Sequence, residues 1–533
     1  MKKETIIDER FKYVGFKLIS LELKDNKLFG DIKYSFIDTE DKQDKVYTTV
    51  LIGQNGTLKS RLFQKIITLF WGLHDLKNEK KVSFVEKFHL KYSLNNSVYE
   101  FSNILQQGDE DLPFEPQPPN LIIDGKMESD FKNVDLPMSI IATAIMITDR
   151  FPFPDPENFA RYQYLGSRYR PQLASTKTFI GRVVEFISRN IDSEAFINGV
   201  RKIVKEFLHN SNQPYITFHT QNTPRFFIGK MSNNEFFSYF EEIDEKYKNK
   251  TTAPPFKLNH YKSKIKNDSK LAQQIVDYCN TLKEKDELRG FPRSSAKAIS
   301  FNLLDERDVE KLRKQFVLLD HMRQLGIVYP AEIEFLKSIQ ENNRTKLEGY
   351  SIIASSSGEY NLLGSMIGII ASIQTNSLIF IDEPEISLHP NWQMKYLSFL
   401  RELLSDKNYA TCHIIVATHS HFVISDLDGK NSSVIALSWD ADTNKLSANL
   451  LKNANTFGWS AEQILLEVFK VPTTRNYFIA EKIGEILEMV SKVERNDIKI
   501  KEKVKELIDS NIILLSQEDP LKPVIDRLIE KYV

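Results

Sequence analysis

Two short segments, far apart in the chain, constrain its fold more than anything between them. The first is YTTVLIGQNGTLKSRLF, Tyr47 to Phe63, and the second is NSLIFIDEPEISLHP, Asn376 to Pro390. The first reads as an apolar strand, a glycine-containing loop and the opening of a helix. Such a loop points backbone N–H groups at phosphates, and the positive end of the helix reinforces the attraction. Gly53, Gln54, Asn55, Gly56, Thr57 and Leu58 would wrap the phosphates of a nucleotide. Lys59 would reach the β- and γ-phosphates, and the Ser60 hydroxyl would hold Mg²⁺. The second segment is apolar from Leu378 to Ile381 and ends in Asp382-Glu383. A buried parallel strand that delivers a carboxylate at its C-terminal tip has this pattern. Asp382 would complete the Mg²⁺ shell, and Glu383 would orient or deprotonate an attacking water.

The loop departs from the strict pattern, because Leu58 stands where a glycine normally precedes the lysine. Taken alone, GQNGTLKS also fits an ordinary strand-to-helix turn. Two further elements narrow the reading. SSSGEYN, Ser355 to Asn361, precedes an apolar helix-like run and places Gly358 24 residues before Asp382. VATHS, Val416 to Ser420, presents His419 after a β-rich stretch. Four elements in this order point to nucleotide binding.

Phosphate loop, S-S-G-E signature, I-D-E-P and T-H-S in that order resemble the ABC-type ATPase head. Within that superfamily DEPEISLHPNWQ resembles the group of RecF-like, SMC-like and OLD-like proteins. Specific motifs cover residues 10–75 and 350–440. Two softer stretches, ITDRFPFPDPENFARYQYLGSRYR and TFGWSAEQILLEVFKVPTTRNYF, resemble the ATPase subunit of Septu-type and retron-linked anti-phage systems. The resemblance implies a composite site in a homodimer. Ser356 or Ser357, Gly358 and Glu359 of the signature would serve the nucleotide held by the opposite protomer, and His419 would contact its γ-phosphate. It implies ATP and Mg²⁺ as cofactors and an HNH-type nuclease subunit as partner. The retron-linked relatives add a reverse transcriptase with its RNA–DNA product.

Composition sets the remaining bounds. A chain of 533 residues with 41% apolar and 27% charged residues is a globular protein of several domains. The formal net charge of −1 gives no global attraction to nucleic acid or membrane, so any such contact must be local. Cys279 and Cys412 cannot form a disulfide framework or a metal cluster alone, and they fit a reducing cytoplasm. The start of the chain lacks the apolar run of a signal peptide, and no stretch is long and apolar enough to span a membrane. A cytoplasmic, membrane-free protein is expected.

The expected fold is α/β: a mainly parallel sheet with an antiparallel β flank, a helical insertion and a C-terminal helical region. Residues 1–175 would form the N-terminal half of the head and 346–457 the C-terminal half. Between them, 176–345 would be a mainly helical lid, with a β-like patch at Tyr215 to Lys230, and 458–533 a helical tail. The insertion has prolines and short amphipathic helices without sustained heptads, which argues against a long coiled-coil arm. It is too long for a transporter head. From Lys246 to Lys270 eight lysines face one acidic residue, Asp268, with Tyr247, Phe256 and Tyr261 interleaved. That stretch suits a nucleic-acid backbone, and equally a solvated loop. Arg161, Arg168, Arg170 and Arg182 form a second, scattered basic group that suits nucleic acid and equally suits pairing with acids of the same domain.

ABC heads place a Mg²⁺-sensing glutamine near the position of Thr148-Asp149-Arg150; none stands there, Gln163 is the nearest, and the role is left unassigned. No nuclease constellation is visible in the sequence. The expected function is a slowly hydrolysing ATPase that dimerises through ATP and regulates a partner nuclease in anti-phage defence. A RecF-like DNA-repair ATPase clamping DNA, and an ATP-held scaffold without significant hydrolysis, remain open.

Overall fold

The computed structural model describes residues 12–37, 45–104, 118–144, 148–155, 157–170, 173–189, 193–207, 213–220, 231–248, 268–284, 289–291, 294–341, 344–440, 443–451, 458–471, 475–491, 496–509 and 519–533, with single residues 146, 456, 473 and 515. The chain forms two compact units, Met1–Gly458 and Trp459–Val533. Most of the lysine-rich stretch after Lys248, and the proline-rich segment before Pro118, lie outside the described residues.

The first unit begins with an antiparallel flank. Strands β1 (Lys17–Asn26) and β2 (Gly30–Ser35) pair, and β3 (Tyr47–Gly53) then enters a different sheet. Helix α1 (Lys59–Lys77) follows, and the chain returns to the flank through β4 (Lys87–Leu94), β5 (Ser97–Ser102), β6 (Asn120–Ile123) and β7 (Lys126–Glu128). The flank has the order β2-β1-β4-β5-β6-β7. Strands β8 (Ile140–Ala144) and β9 (Tyr162–Gly166) join the sheet of β3, and β10 (Arg168–Arg170) pairs with β11 (Leu173–Ala174) in a small ribbon.

The insertion opens with α2 (Thr176–Arg189) and α3 (Ser193–Phe207), followed by β12 (Gln213–His219), α4 (Asn233–Lys248) and α5 (Ser269–Glu284). It continues through β13 (Arg289–Phe291), β14 (Ser294–Asn302), α6 (Glu306–Gln324), β15 (Glu332–Glu341) and β16 (Arg344–Ser351). Beside its helices the insertion therefore holds an antiparallel sheet of five strands, ordered β13-β14-β12-β15-β16. Only a patch near β12 was legible in advance. The long pair β15 and β16 carries charged residues through EIEFLKSIQE and RTKLEGYS, which interrupts the alternation that marks a strand.

Helix α7 (Ser357–Ser372), β17 (Leu378–Asp382), α8 (Pro390–Leu403), β18 (His413–Thr418), β19 (Ser432–Trp439) and β20 (Leu446–Leu451) complete the central sheet. Its order is β20-β19-β3-β18-β17-β8-β9. All neighbours run parallel except the β19/β20 hairpin. Every residue of β8, β17 and β18 is buried, as expected of parallel strands covered on both faces.

One hydrophobic core joins flank, α1 and central sheet. Leu62, Ile66, Leu69 and Leu73 form one stripe of α1, and Phe63, Ile67 and Phe70 widen it. Phe70 packs on Phe16 and Tyr92 of the flank side, while Phe63 meets Phe380 of β17. His413 ties flank and sheet together. Its Nδ1 accepts the Leu18 N–H at 3.0 Å, so Nε2 carries the proton and donates to Thr49 Oγ1 at 2.9 Å. Burial, with Lys17 adding to it, holds this imidazole neutral far below its ordinary range.

In the second unit α9 (Ala461–Glu467) leads to α10 (Tyr477–Ser491), α11 (Asp497–Asp509) and α12 (Lys522–Tyr532). Ile483 and Ile486 pack with Ile500, Val504, Leu507, Ile525 and Leu528 in a core of their own. Cys279 and Cys412 are buried free thiols. Among the described residues no helix is long and apolar enough to cross a membrane.

Candidate functional site

In a parallel sheet the loops that leave the C-terminal strand ends converge, and this is where chemistry collects. Strands β3 and β17 flank β18 in register, with Leu51 beside Ala417 and Ala417 beside Asp382. The phosphate loop and the tip of β17 thus come together although most of the chain separates them.

The loop is built by three left-handed backbone positions. Gly53 has φ +158° and Gly56 +85°, and a Cβ at Gly53 would stand 2.6 Å from the Leu437 carbonyl. The third is Leu58, with φ +64° and ψ +21°. Leu58 stands where a glycine normally precedes the lysine, and its side chain turns inward against the main core. Gln54, Asn55 and Gly56 are exposed, while Thr57 is buried and donates to the Gln54 carbonyl at 2.8 Å. No side chain caps the start of α1, and its first turn has no acidic residue. That leaves the N–H groups of the turn free to meet an anion.

Lys59 lies beneath the loop, only 6% exposed, with Nζ 2.9 Å from the Gly53 carbonyl. Burial lowers its pKa to about 8, against the pull of Glu383, Asp382 and Glu385. Asp382 is pushed up to about 7 by burial. A Ser60 hydrogen bond works against that rise, Glu383 and Asp149 add to it, and Lys59 opposes it. Its Oδ1 is buried without a hydrogen-bond partner. Ser60 and a carboxylate oxygen with unused capacity form the oxygen donor set that suits Mg²⁺, so the residues present fit that cation.

Glu383 has φ +49°, a costly conformation for a non-glycine residue, and its N–H bonds the Ala417 carbonyl at 2.9 Å. His419 Nε2 stands 3.8 Å from Glu383 Oε1. Burial first, and then Lys59, bring His419 down to about 4, so a neutral imidazole faces the carboxylate near pH 7. Glu385 was not singled out in the sequence. Its carboxylate accepts the His419 N–H at 2.6 Å and the Thr418 hydroxyl at 2.8 Å, fixing the turn that presents His419. The signal was present in the second glutamate of E-P-E.

The signature residues make other contacts. Ser356 caps α7, and Glu359 completes a capping box by accepting from the Ser356 N–H and hydroxyl. Glu359 thus spends its carboxylate on its own helix. Gly358 is pressed against the segment beyond β17, where a Cβ would lie 2.5 Å from the Ser387 carbonyl. Ser357 opens the helix between them.

Asp149 follows β8, the strand beside β17, and the Arg168 guanidinium grips it with two hydrogen bonds of 2.6 and 2.9 Å. The Tyr164 hydroxyl adds a third at 2.6 Å. Arg182 donates to the Gly166 and Arg168 carbonyls, and Arg161 to Pro137. These arginines are spent inside their own domain; the Arg170 side chain lies outside the described residues. Gln163 stands level with Ile379, roughly 10 Å along the strand from Asp382. It lines a cavity of about 630 Å³ instead. Trp439, also not anticipated, is 41% exposed and donates from Nε1 to the Gly56 carbonyl at 3.2 Å.

A phosphate loop and a carboxylate-tipped strand meeting across one intervening strand, with the signature helix leading into the latter, define an ABC-type ATPase head. Comparison with known proteins finds the following similarities. Residues 177–425 match a family described as "AAA domain, putative AbiEii toxin, Type IV TA system". Septu protein PtuA of Bacillus thuringiensis is 28% identical over 156 residues, 29% of this chain and 36% of that protein. Protein ea59 of Escherichia phage lambda is 26% identical over 126 residues, 24% of this chain and 22% of that protein. The matches thus span about a third or less of these relatives' lengths. A solved structure of the recombination mediator RecF with ATPrS, from the RecFOR pathway, aligns over 82% of this chain and 99% of that one. Its identity is 12% and its TM-score 0.29, a superposition too loose to bear on the fold.

Proposed function

We propose that this protein binds ATP with Mg²⁺ and hydrolyses it slowly, and that two copies share their nucleotide sites to govern a partner nuclease in anti-phage defence. The observation that carries the chemistry is the meeting of Lys59 and Ser60 with Asp382 and Glu383, where the Asp382 Oδ1 has no partner. Ser60 and Asp382 would hold Mg²⁺, which when bound supplies positive charge to the phosphate oxygens. Lys59 and the first-turn N–H groups bind and orient the phosphates. Glu383 takes the proton of the attacking water, and neutral His419 beside it donates a hydrogen bond to the γ-phosphate. Replacing Glu383 by Gln leaves the phosphate and cation ligands in place. ATP binding should therefore persist while phosphate release falls roughly 10²–10⁴-fold. Equal hydrolysis by wild type and Glu383→Gln removes Glu383 from this role.

The composite site assigns Ser356, Ser357 and Gly358 to the nucleotide of the second copy. Their place at the start of α7 supports this, since N–H groups there can meet a γ-phosphate. Light scattering of Glu383→Gln with MgATP should show a dimer that disperses on exchange to ADP.

Similarity to a Septu protein supports an HNH-type nuclease as partner, with a reverse transcriptase and its RNA–DNA product in a retron-linked setting. The C-terminal unit is the proposed docking surface. It has its own core, and it exposes Tyr477 at 70% and Phe478 at 54%. A chain ending before Gly458 should stay folded and bind ATP yet fail to recover the nuclease in pull-downs. A soluble truncation that still recovers it moves docking to the insertion.

A further inference from the structure

The sheet of the insertion has a polar face that the nucleotide site does not use. Alternate residues of a strand project to the same face. Strands β12 and β15 pair with Tyr215 opposite Glu334 and Thr217 opposite Glu332. His219 comes two residues after Thr217, so His219, Glu332 and Glu334 share that face. One ligand atom from each lies within 4.8 Å of the others, and His219 Nε2 is 3.2 Å from a Glu334 oxygen. The group is well covered, with the His219 side chain 19% exposed and that of Glu334 12%.

Its charges do not balance internally, because two carboxylates face one imidazole. The second Glu334 oxygen is buried without a partner. Thr217, fully buried between the cluster residues, also leaves its hydroxyl unpaired. So does Ser300, which the β12/β14 register sets opposite Thr217. Buried polar atoms are nearly always hydrogen-bonded. Three exceptions on one sheet face, around an imidazole and two carboxylates, call for a cation with a hydrogen-bonding shell.

We infer that His219, Glu332 and Glu334 bind a divalent transition-metal ion of the zinc type. An imidazole nitrogen in the donor set favours such a metal over Mg²⁺ or Ca²⁺, which prefer oxygen alone. Separations below 4.8 Å allow all three to reach one ion at ordinary metal–ligand lengths. Three protein ligands leave a fourth position for water, to which the unpaired Thr217 and Ser300 hydroxyls would donate. The site is separate from Ser60 and Asp382 in position and in donor chemistry.

The test uses the full chain stripped with EDTA and titrated with ZnCl₂. The wild type should take up one Zn²⁺ per chain, with a rise in melting temperature that MgCl₂ does not reproduce. A Glu332→Gln, Glu334→Gln double variant should lose at least about tenfold in Zn²⁺ affinity while ATP binding is kept. CoCl₂ titrated into the wild type gives a reading independent of the variant's folding, through the visible absorption of a low-coordinate ion. Equal Zn²⁺ binding by wild type and double variant overturns the assignment. No stoichiometric uptake by the wild type, or no such Co²⁺ absorption, does the same.

Discussion

The central sheet and the sheet of the insertion use polar residues in opposite ways. In β8, β17 and β18 of the central sheet both faces are buried, and the ionisable groups of the site stand at strand tips and the loops beyond them. There Asp149 is fully paired by Arg168 and Tyr164, Glu385 by Thr418 and His419, and Lys59 by loop carbonyls. Asp382, with its free Oδ1, is the conspicuous exception and coincides with the proposed cation position. In the insertion one face of an antiparallel sheet is itself polar, and the Thr217 and Ser300 hydroxyls and one Glu334 oxygen stay unpaired on that face. The contrast teaches that parallel strands aim chemistry along their axis, whereas antiparallel strands offer it sideways through alternation.

Substitution can break this contrast from either side. The largest effect belongs to a fully compensated group. Asp149→Asn leaves the Arg168 guanidinium buried without its counter-charge, and should cost about 3–5 kcal/mol of stability in denaturant unfolding. A loss below about 1 kcal/mol would show that the pair is solvated and the compensation superficial.

Protonation of His413 should come next. Its folded pKa lies well below the unfolded value of about 6.5, so its contribution is fully present above that pH. As pH falls, the unfolded chain binds a proton that the native state refuses. Stability should then drop by about 1.4 kcal/mol per pH unit below about 6.5. The slope between pH 6.5 and 5 should be shallower in His413→Gln; equal slopes would assign the acid sensitivity to other groups.

Thr217→Val should have a smaller effect, and of the opposite sign. It removes a buried unpaired hydroxyl at nearly constant volume, so the metal-free protein should gain up to about 1 kcal/mol. A loss larger than that would mean the hydroxyl is already satisfied, and would weaken the comparison between the sheets.

Leu58→Gly should change least. Left-handed backbone costs a leucine about 1–2 kcal/mol, while its half-buried side chain contributes packing of similar size. The two offset each other, so melting temperature and turnover should both stay close to wild type. A marked gain in ATP turnover would instead show the side chain crowding the phosphates.

What the sequence determined on its own is the local part: a strand, a glycine-containing loop and a helix start over Tyr47 to Phe63, and an apolar run ending in Asp382-Glu383. These are legible because a buried parallel strand must be apolar on both faces, and because the residues at its tip follow it directly. The capping box of Ser356 and Glu359 is also local, its spacing set by one helical turn, yet the motif resemblance assigned both residues to the nucleotide. Tertiary structure alone decided that Asp149 meets Arg168, that Glu385 holds the His419 turn, and that His413 joins the flank to the sheet. It also decided that β12 pairs with β15, which gathers His219, Glu332 and Glu334 from distant parts of the chain. Such contacts have no spacing to betray them. They arise when strand register and burial bring residues together, and a one-residue slip would send each side chain to the other face.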